Sequence, residues 1–450
     1  MHKLTIHNLG PVEQCELECV PFLTLTGFQA SGKSTIAKAI YFFRTIKEDF
    51  IELAQRQAFH LIPIGGLDDD YDLGYGLSLE KGLQRFLREK FFRVFGPMYG
   101  VSSEMRMQYY FTKACSVAVS CTQDYEQANC RAEKIKVTFS DALKSFLREK
   151  NQSFSATPAG IPDQEKKLLE SELQQMFDDR CGVVYIPAGR SMLTLLSQQF
   201  SYIYATMHDA QKESLDLCTR DYLERILRLR PEFQEGLLGL QQYTVRGERL
   251  AADITQQALD LISLILRGTY QYKSGEEQIR LKSGNYVKIN FSSSGQQECV
   301  WILNLLFYYL LQKKPMLFII EEPESHLFPE SQKLITELIA LVNHCGNEIL
   351  LTTHSPYVLG TLNNLLYAHT LKPCFCKKAA GVIPESFWLD DAKFDAWFVQ
   401  EGAIENCMDE EIQMIQNERI DEISKVINND FDRLLELQNA GVEGGGKECR

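Results

Sequence analysis

The segment Gly27-Phe28-Gln29-Ala30-Ser31-Gly32-Lys33-Ser34 restricts what this chain can fold into more than any other. It fits the pattern G-x-x-x-x-G-K-[ST] in full, and its surroundings fit as well. The apolar run Phe22-Leu23-Thr24-Leu25-Thr26 leads into it, and Thr35 to Phe43 continue with helical periodicity. Strand, glycine-rich turn and helix in that order gather backbone N–H groups and the positive end of a helix around one point, which is a cradle for phosphate. Gly27, Ala30, Ser31, Gly32, Lys33, Ser34 and Thr35 are the candidate contacts. Lys33 is placed to reach the outer phosphates of a nucleotide, and Ser34 to offer a hydroxyl to Mg²⁺.

Three later clusters stand at the ends of apolar runs. Lys314-Pro315-Met316-Leu317-Phe318-Ile319-Ile320 predicts a buried strand that stops at Glu321-Glu322. Adjacent carboxylates at such a terminus are costly unless they hold a metal or a proton. The natural division gives Glu321 the Mg²⁺ and Glu322 the attacking water. Leu350-Leu351-Thr352-Thr353 predicts a second strand ending at His354-Ser355, at the same sheet edge as Lys33 and Glu322 if the strands are parallel. From there His354 can donate to a terminal phosphate. Ser292-Ser293-Ser294-Gly295-Gln296-Gln297 precede the apolar helix Cys299 to Leu306, so serine hydroxyls and the Gly295 amide lie at a helix N-terminus, an anion site.

In this order the four motifs resemble the ABC-type ATPase heads of the SMC-like and OLD-like group, over about residues 1–45 and 180–372. The resemblance implies an α/β fold: a P-loop NTPase of ABC-ATPase type, with a mixed-sheet core, an antiparallel arm and a helical insertion or lid. It also implies Mg²⁺-dependent ATP hydrolysis. Gly27 to Ser34 stand as Walker A, and Ser293, Ser294, Gly295 and Gln296 as the signature that contacts nucleotide. Glu321 and Glu322 stand as Walker B and catalytic glutamate, and His354 as the switch histidine. Lys33, Glu322 and His354 are then the catalytic set, and Ser34 and Glu321 the metal contacts. Heads of this group dimerise head to tail, the signature of one completing the nucleotide site of the other, so a homo-oligomer is implied. Ser294 stands where transporter signatures carry glycine, and Phe328 where transporter D-loops carry aspartate. Both departures weaken a transport reading, and the family's Q-loop glutamine is not placed within 46–180.

A standalone ATPase of this kind looks like the ATPase subunit of bacterial anti-phage systems. That likeness implies a separate nuclease effector, of TOPRIM type in OLD-like proteins, and a phage-encoded trigger protein. Val399-Gln400-Glu401-Gly402 faintly resembles the start of a TOPRIM domain, but the stretch after it is too short for that fold, so the nuclease is expected in another polypeptide. The alternative reading is an SMC-like ATPase acting on DNA in repair or recombination.

Composition limits the partners further. At a net charge of −13 the chain lacks a broadly basic surface, and DNA is not indicated by it. The one basic segment interleaved with aromatics is Arg85-Phe86-Leu87-Arg88-Glu89-Lys90-Phe91-Phe92-Arg93, which also reads as an amphipathic helix. No run of about eighteen apolar residues appears, so no membrane partner is expected and the location is cytoplasmic. Thirteen cysteines are scattered, with only Cys374-Phe375-Cys376 approaching a metal spacing. The expected organisation is a discontinuous core of 1–45 and 180–372, an antiparallel arm and insertion over 46–179, a helical lid or dimer arm over 192–265, and a helical partner or oligomerisation region over 373–450.

Overall fold

Burial alternates along the first two strands and then stops alternating. β1 (His2–Leu9) and β2 (Val12–Cys19) form a hairpin that turns Leu4, Ile6, Val12 and Leu17 inward, whereas every residue of β3 (Phe22–Gly27) is buried. A strand buried on both faces belongs in the middle of a covered sheet, and the hairpin belongs elsewhere. The computed structural model, which describes residues 2–58, 78–96, 102–121, 134–154, 162–194, 216–243, 251–371, 375–409, 411–416, 429–430 and 432–433, bears out that division. β4 (Arg106–Tyr110), β5 (Ser116–Cys121) and β6 (Ile135–Phe139) extend the hairpin into an antiparallel sheet of order β2-β1-β4-β5-β6.

The central sheet takes β3 together with β7 (Gly182–Ile186) and strands from the second half of the chain. Before those come β8 (Thr269–Lys273), β9 (Glu276–Arg280) and β10 (Tyr286–Lys288), a small antiparallel sheet that delivers the chain to Ser293. β11 (Met316–Glu321), β12 (Glu348–Thr352), β13 (Phe394–Gln400) and β14 (Ala403–Asn406) then complete the central order β14-β13-β3-β12-β11-β7. All its pairs are parallel except β13 with β14. The fold is thus a mixed-sheet α/β fold, with helices against the sheet.

Period-two burial divides the core between the faces of the central sheet. Phe22, Phe318, Ile320, Leu351 and Phe398 face one cluster, with the helices Ser294–Gln312, Pro329–His344 and Pro356–Thr370. Leu23, Leu25, Leu317, Ile319 and Leu350 face the other, with the helix Lys33–Arg44 and the antiparallel sheet. Each fully buried side chain of this size contributes about 1.5–3 kcal/mol. The helices Leu217–Leu229 and Ala252–Leu266, within the expected lid, join the first cluster through Tyr222, Ile226, Ala258 and Ile262. Residues 195–215 and 244–250 of that span lie outside the described residues.

The core boundary expected at 372 needs correction, because strands after it join the central sheet. β13 pairs with β3 from Phe394↔Phe22 to Val399↔Gly27, and its Phe394, Ala396 and Phe398 enter the core. Without β13 one edge of β3 would leave its backbone groups unpaired next to the phosphate loop. The segment Val399 to Gly402 is therefore the end of a central-sheet strand and its turn. Of the helical region expected over 373–450, the part after 416 lies mostly outside the described residues, with 429–430 and 432–433 helical; Met414–Ile415 is a short strand paired with Met408–Asp409.

β13 also fixes the identity of Gly27. At φ 137°, a Cβ there would stand 2.2 Å from the Val399 carbonyl oxygen. Gly27→Ala is expected to destabilise the fold by about 1–3 kcal/mol through backbone strain alone, read as a lower midpoint in chemical denaturation. An unchanged midpoint would contradict this packing. Among the described residues the cysteines are free, and burial pushes the thiols of Cys15, Cys115, Cys181 and Cys299 up to about 12. Cys374 lies outside the described residues, and no described helix is long and apolar enough to cross a membrane.

Candidate active site

Because β3, β12, β11 and β7 run parallel, their carboxyl ends open on one edge, where open α/β sheets bind ligands. β3 delivers Gly27 and its loop, β12 Thr353-His354-Ser355, β11 Glu321-Glu322, and β7 Pro187 to Arg190. The loop after β3 curls through three positive φ values, 137° at Gly27, 60° at Ala30 and 111° at Gly32. The helix it opens has no side-chain cap and no acidic residue in its first turn, which leaves its first amides available to an anion. Ser34 is exposed and Thr35 half-buried on that turn.

Lys33 is 5% exposed, and its ammonium donates to Gly27 O at 3.0 Å, Phe28 O at 2.6 Å and Ser31 Oγ at 3.4 Å. Burial lowers its pKa from 10.5 to about 8, against the opposing pull of Glu322, Glu324 and Glu321. The ammonium is the form that binds phosphate, so kcat/KM for ATP is expected to fall as pH rises through about 8 in a pH–rate series. A plateau persisting to pH 10.5, the ordinary lysine value, would contradict this. The folded chain releases this proton first, so the group's contribution to stability rises between those two values.

The two adjacent carboxylates, Glu321 and Glu322, lie in different surroundings. Glu321 is 5% exposed; its Oε2 accepts from the Ala188 N–H at 3.2 Å, while Oε1 is buried with no hydrogen-bond partner. Burial first, and then the Glu321 charge, push the neighbouring Tyr185 hydroxyl well above its usual range. A buried carboxylate oxygen left open in this way fits a donor to Mg²⁺, which takes one or two carboxylates and completes its shell with phosphate and water. Glu322 is half-buried, with a left-handed φ of 44°. Its Oε1 lies 3.4 Å from His354 Nε2, and its Oε2 accepts from Ser325 Oγ at 3.2 Å. The His354 contact, more than any other, holds the Glu322 pKa below the ordinary glutamate value.

Glu324, Arg190, Glu298 and Ser325 are site-building residues that the motifs do not announce. Glu324 Oε1 accepts from Thr353 Oγ1 at 2.7 Å and from the His354 N–H at 2.8 Å, tying the histidine loop to the loop after β11. Burial raises the Glu324 carboxyl. Arg190 and Glu298 form a pair with no solvent exposure. The available signal for Glu298 was a carboxylate abutting an apolar helical run, which is rarely buried unless paired.

The signature residues behave unequally. Ser293 caps the helix Ser294–Gln312 in a capping box with Gln296, and both Ser293 and Ser294 are exposed. Gln296 turns inward: its Oε1 accepts from the Ser293 N–H and hydroxyl, and its Nε2 donates to Leu266 O at 2.7 Å. The Gln296 amide thus takes part in shaping the helix start. Gly295 is needed for close packing, since a Cβ there would stand 2.8 Å from His326 O. Lys33, Glu321, Glu322 and His354 thus share one edge, while no described hydrogen bond or ion pair joins Ser293 or Ser294 to Lys33.

Beside the loop lies a cavity of about 490 Å³ whose lining includes Glu13, Phe28, Gln29, Gln400 and Glu401. Its size suits a nucleoside attached to loop-bound phosphates. Residues 195–359 match the family model of the AAA ATPase domain, a span holding Ser293 to Gln296, Glu321, Glu322 and His354. The chain carries an ATPase domain.

Its activity is ATP hydrolysis. Among solved structures, this ATPase is similar to an SmcHead bound to the C-winged helix domain of ScpA, at 11% identity and a TM-score of 0.39, over 90% of this chain and 95% of that one. It is also similar to a Pyrococcus furiosus Smc head domain with an extended coiled coil, bound to the C-terminal domain of ScpA, at 10% identity and 0.37, over 90% and 96%. The SMC head domain from Thermotoga maritima aligns at 12% identity and 0.33, over 80% and 90%. No curated protein matches.

Proposed function

We propose that this ATPase is the regulatory scaffold of a bacterial anti-phage defence system, similar to AriA of PARIS, which binds a separate nuclease of TOPRIM type and releases or activates it when a phage protein is sensed. The observation that carries the catalytic part is the Glu322–His354 contact at the carboxyl edge that Lys33 shares. In this reading Lys33 and the loop amides hold the β- and γ-phosphates, and Glu322 polarises the attacking water. His354 orients Glu322 and donates to the γ-phosphate. Ser34 and Glu321 would hold Mg²⁺, which supplies charge neutralisation at the phosphates. In this reading the exposed Ser293 and Ser294, with the Gly295 amide, act on the nucleotide of a second copy, which makes a head-to-tail homodimer part of the site.

The effector part of the proposal is supported by the resemblance of Glu321-Glu322-Pro323-Glu324-Ser325-His326-Leu327 to the OLD-like style. The competing DNA reading draws little support from the basic segment 85–93. Its Lys90 is buried, bonded to Thr45 Oγ1, Phe42 O and the Asp49 carboxylate, and its Arg85 pairs with Glu89. The test is purification of the chain from its native cells with and without ATP, followed by nuclease assay and by turnover measured with double-stranded DNA. The proposal expects an ATP-dependent co-purifying nuclease subunit and no stimulation by DNA. Strong DNA stimulation with no nuclease would favour the repair or recombination ATPase.

A further inference from the structure

We propose that Arg190 is a positioning residue that couples the signature helix to the catalytic glutamate, so that a phosphate seated at Ser293 and Ser294 controls the aim of Glu322 in the same chain. Arg190 has no exposed surface. Its Nη1 donates to Pro187 O and Glu321 O, both at 2.5 Å, and its Nη2 to Glu322 O at 2.8 Å. Its Nε donates to Glu298 O at 3.2 Å, and Nη2 lies 3.1 Å from Glu298 Oε1. Glu298 closes the ring by accepting from the N–H groups of Arg190 at 3.0 Å and Ser191 at 2.6 Å.

A guanidinium is a planar fork, so it cannot turn to follow one partner while keeping the others. Toward the catalytic edge it grips two successive carbonyls, and the second belongs to the strained Glu322. The Glu322 N–H is held by Thr352 O at 2.9 Å and its carbonyl by Arg190, so both ends of the residue are pinned and the side-chain direction follows. Toward the signature, Glu298 lies in the second turn of the helix that Ser293 caps. Gly295, in the first turn, packs against His326 O in the loop that follows Glu322. Helix start and Walker B end are therefore mechanically joined. An ion pair serving only stability needs one carboxylate for one guanidinium, whereas here the carbonyls of 187, 321 and 322 are bound as well.

The assignment rests on Glu322 being the group that polarises the attacking water, and the parent's own turnover tests that ATPase reading separately. Arg190→Lys keeps the charge and loses the fork; Glu298→Gln is nearly isosteric and loosens the fork's anchor. Turnover and equilibrium binding of a non-hydrolysable ATP analogue are measured for each single variant and for the double, with circular dichroism to establish folding. Arg190→Lys is expected to lower kcat by about 10²-fold, the cost of misplacing a catalytic group by about 1 Å, with analogue affinity unchanged. Glu298→Gln should lower kcat in the same direction, and the double variant should be no slower than the slower single, because the two residues act as one unit. Parental kcat in both singles, or losses that multiply in the double, would overturn the coupling. If Arg190→Lys fails to fold, Glu298→Gln decides alone: reduced kcat at unchanged affinity supports the coupling, and parental kcat refutes it.

Discussion

Glu322→Gln is expected to lower kcat by about 10²–10⁴-fold, the usual worth of a positioned general base, while leaving ATP binding intact. The amide keeps the shape of the carboxylate and can still accept from Ser325 Oγ, which lies 3.2 Å away in the parent. It cannot take up a proton from water, and its partnership with His354 loses the negative charge that the 3.4 Å contact serves. Binding depends on other groups, namely the loop amides and Lys33. ATP should therefore persist in the variant, and on the head-to-tail reading the dimer should persist with it. Light scattering after gel filtration is expected to give a monomer–dimer equilibrium in the parent that shifts with turnover, and a stable dimer in Glu322→Gln with ATP. Parental kcat in this variant would remove Glu322 from the mechanism.

Lys33→Ala is expected to act one step earlier and abolish ATP binding under ordinary assay conditions. Each charge-assisted hydrogen bond from the ammonium is worth about 1.5–3 kcal/mol, so losing even one weakens affinity by about 10–150-fold. The same change should leave the fold intact. Burial already disfavours the charged form of Lys33, as its pKa near 8 records, so deleting it relieves a desolvated charge. Binding of a fluorescent ATP analogue together with a thermal scan separates the two effects: affinity lost, midpoint retained. Normal affinity in Lys33→Ala would mean that the loop amides suffice.

The residues that carry the chemistry were legible because each stands where an apolar run ends. Gly27, Glu321 and Thr352 terminate buried strands, and a polar cluster at such a point is expensive enough to be visible without coordinates. β13 was missed because its strand signal, Phe394-Asp395-Ala396-Trp397-Phe398-Val399, comes late in the chain, and only the unpaired edge of β3 makes it necessary. The capping box of Ser293 and Gln296 was not legible as such, because a capping box and a ligand contact use the same residue types at the same spacing. The role of Arg190 is not legible in the sequence because the carbonyls it grips at Glu321 and Glu322 are more than a hundred positions away, and a carbonyl has no side-chain signature. Glu324 lay inside a quoted motif, yet its work on Thr353 and His354 depends on two strand ends lying side by side.

The central claim is that one copy's signature completes the nucleotide site of another, and mixing two inactive variants tests it most directly. Lys33→Ala retains an intact signature, and Ser294→Arg, which places a bulky side chain on the exposed first turn of the signature helix, retains an intact phosphate loop. Each alone should be inactive. Mixed in equal amounts, half of the dimers in a two-fold assembly contain one complete site, so turnover is predicted to recover to about a quarter of the parental value. No recovery at any mixing ratio, or full activity of Ser294→Arg alone, would contradict a site shared between two chains.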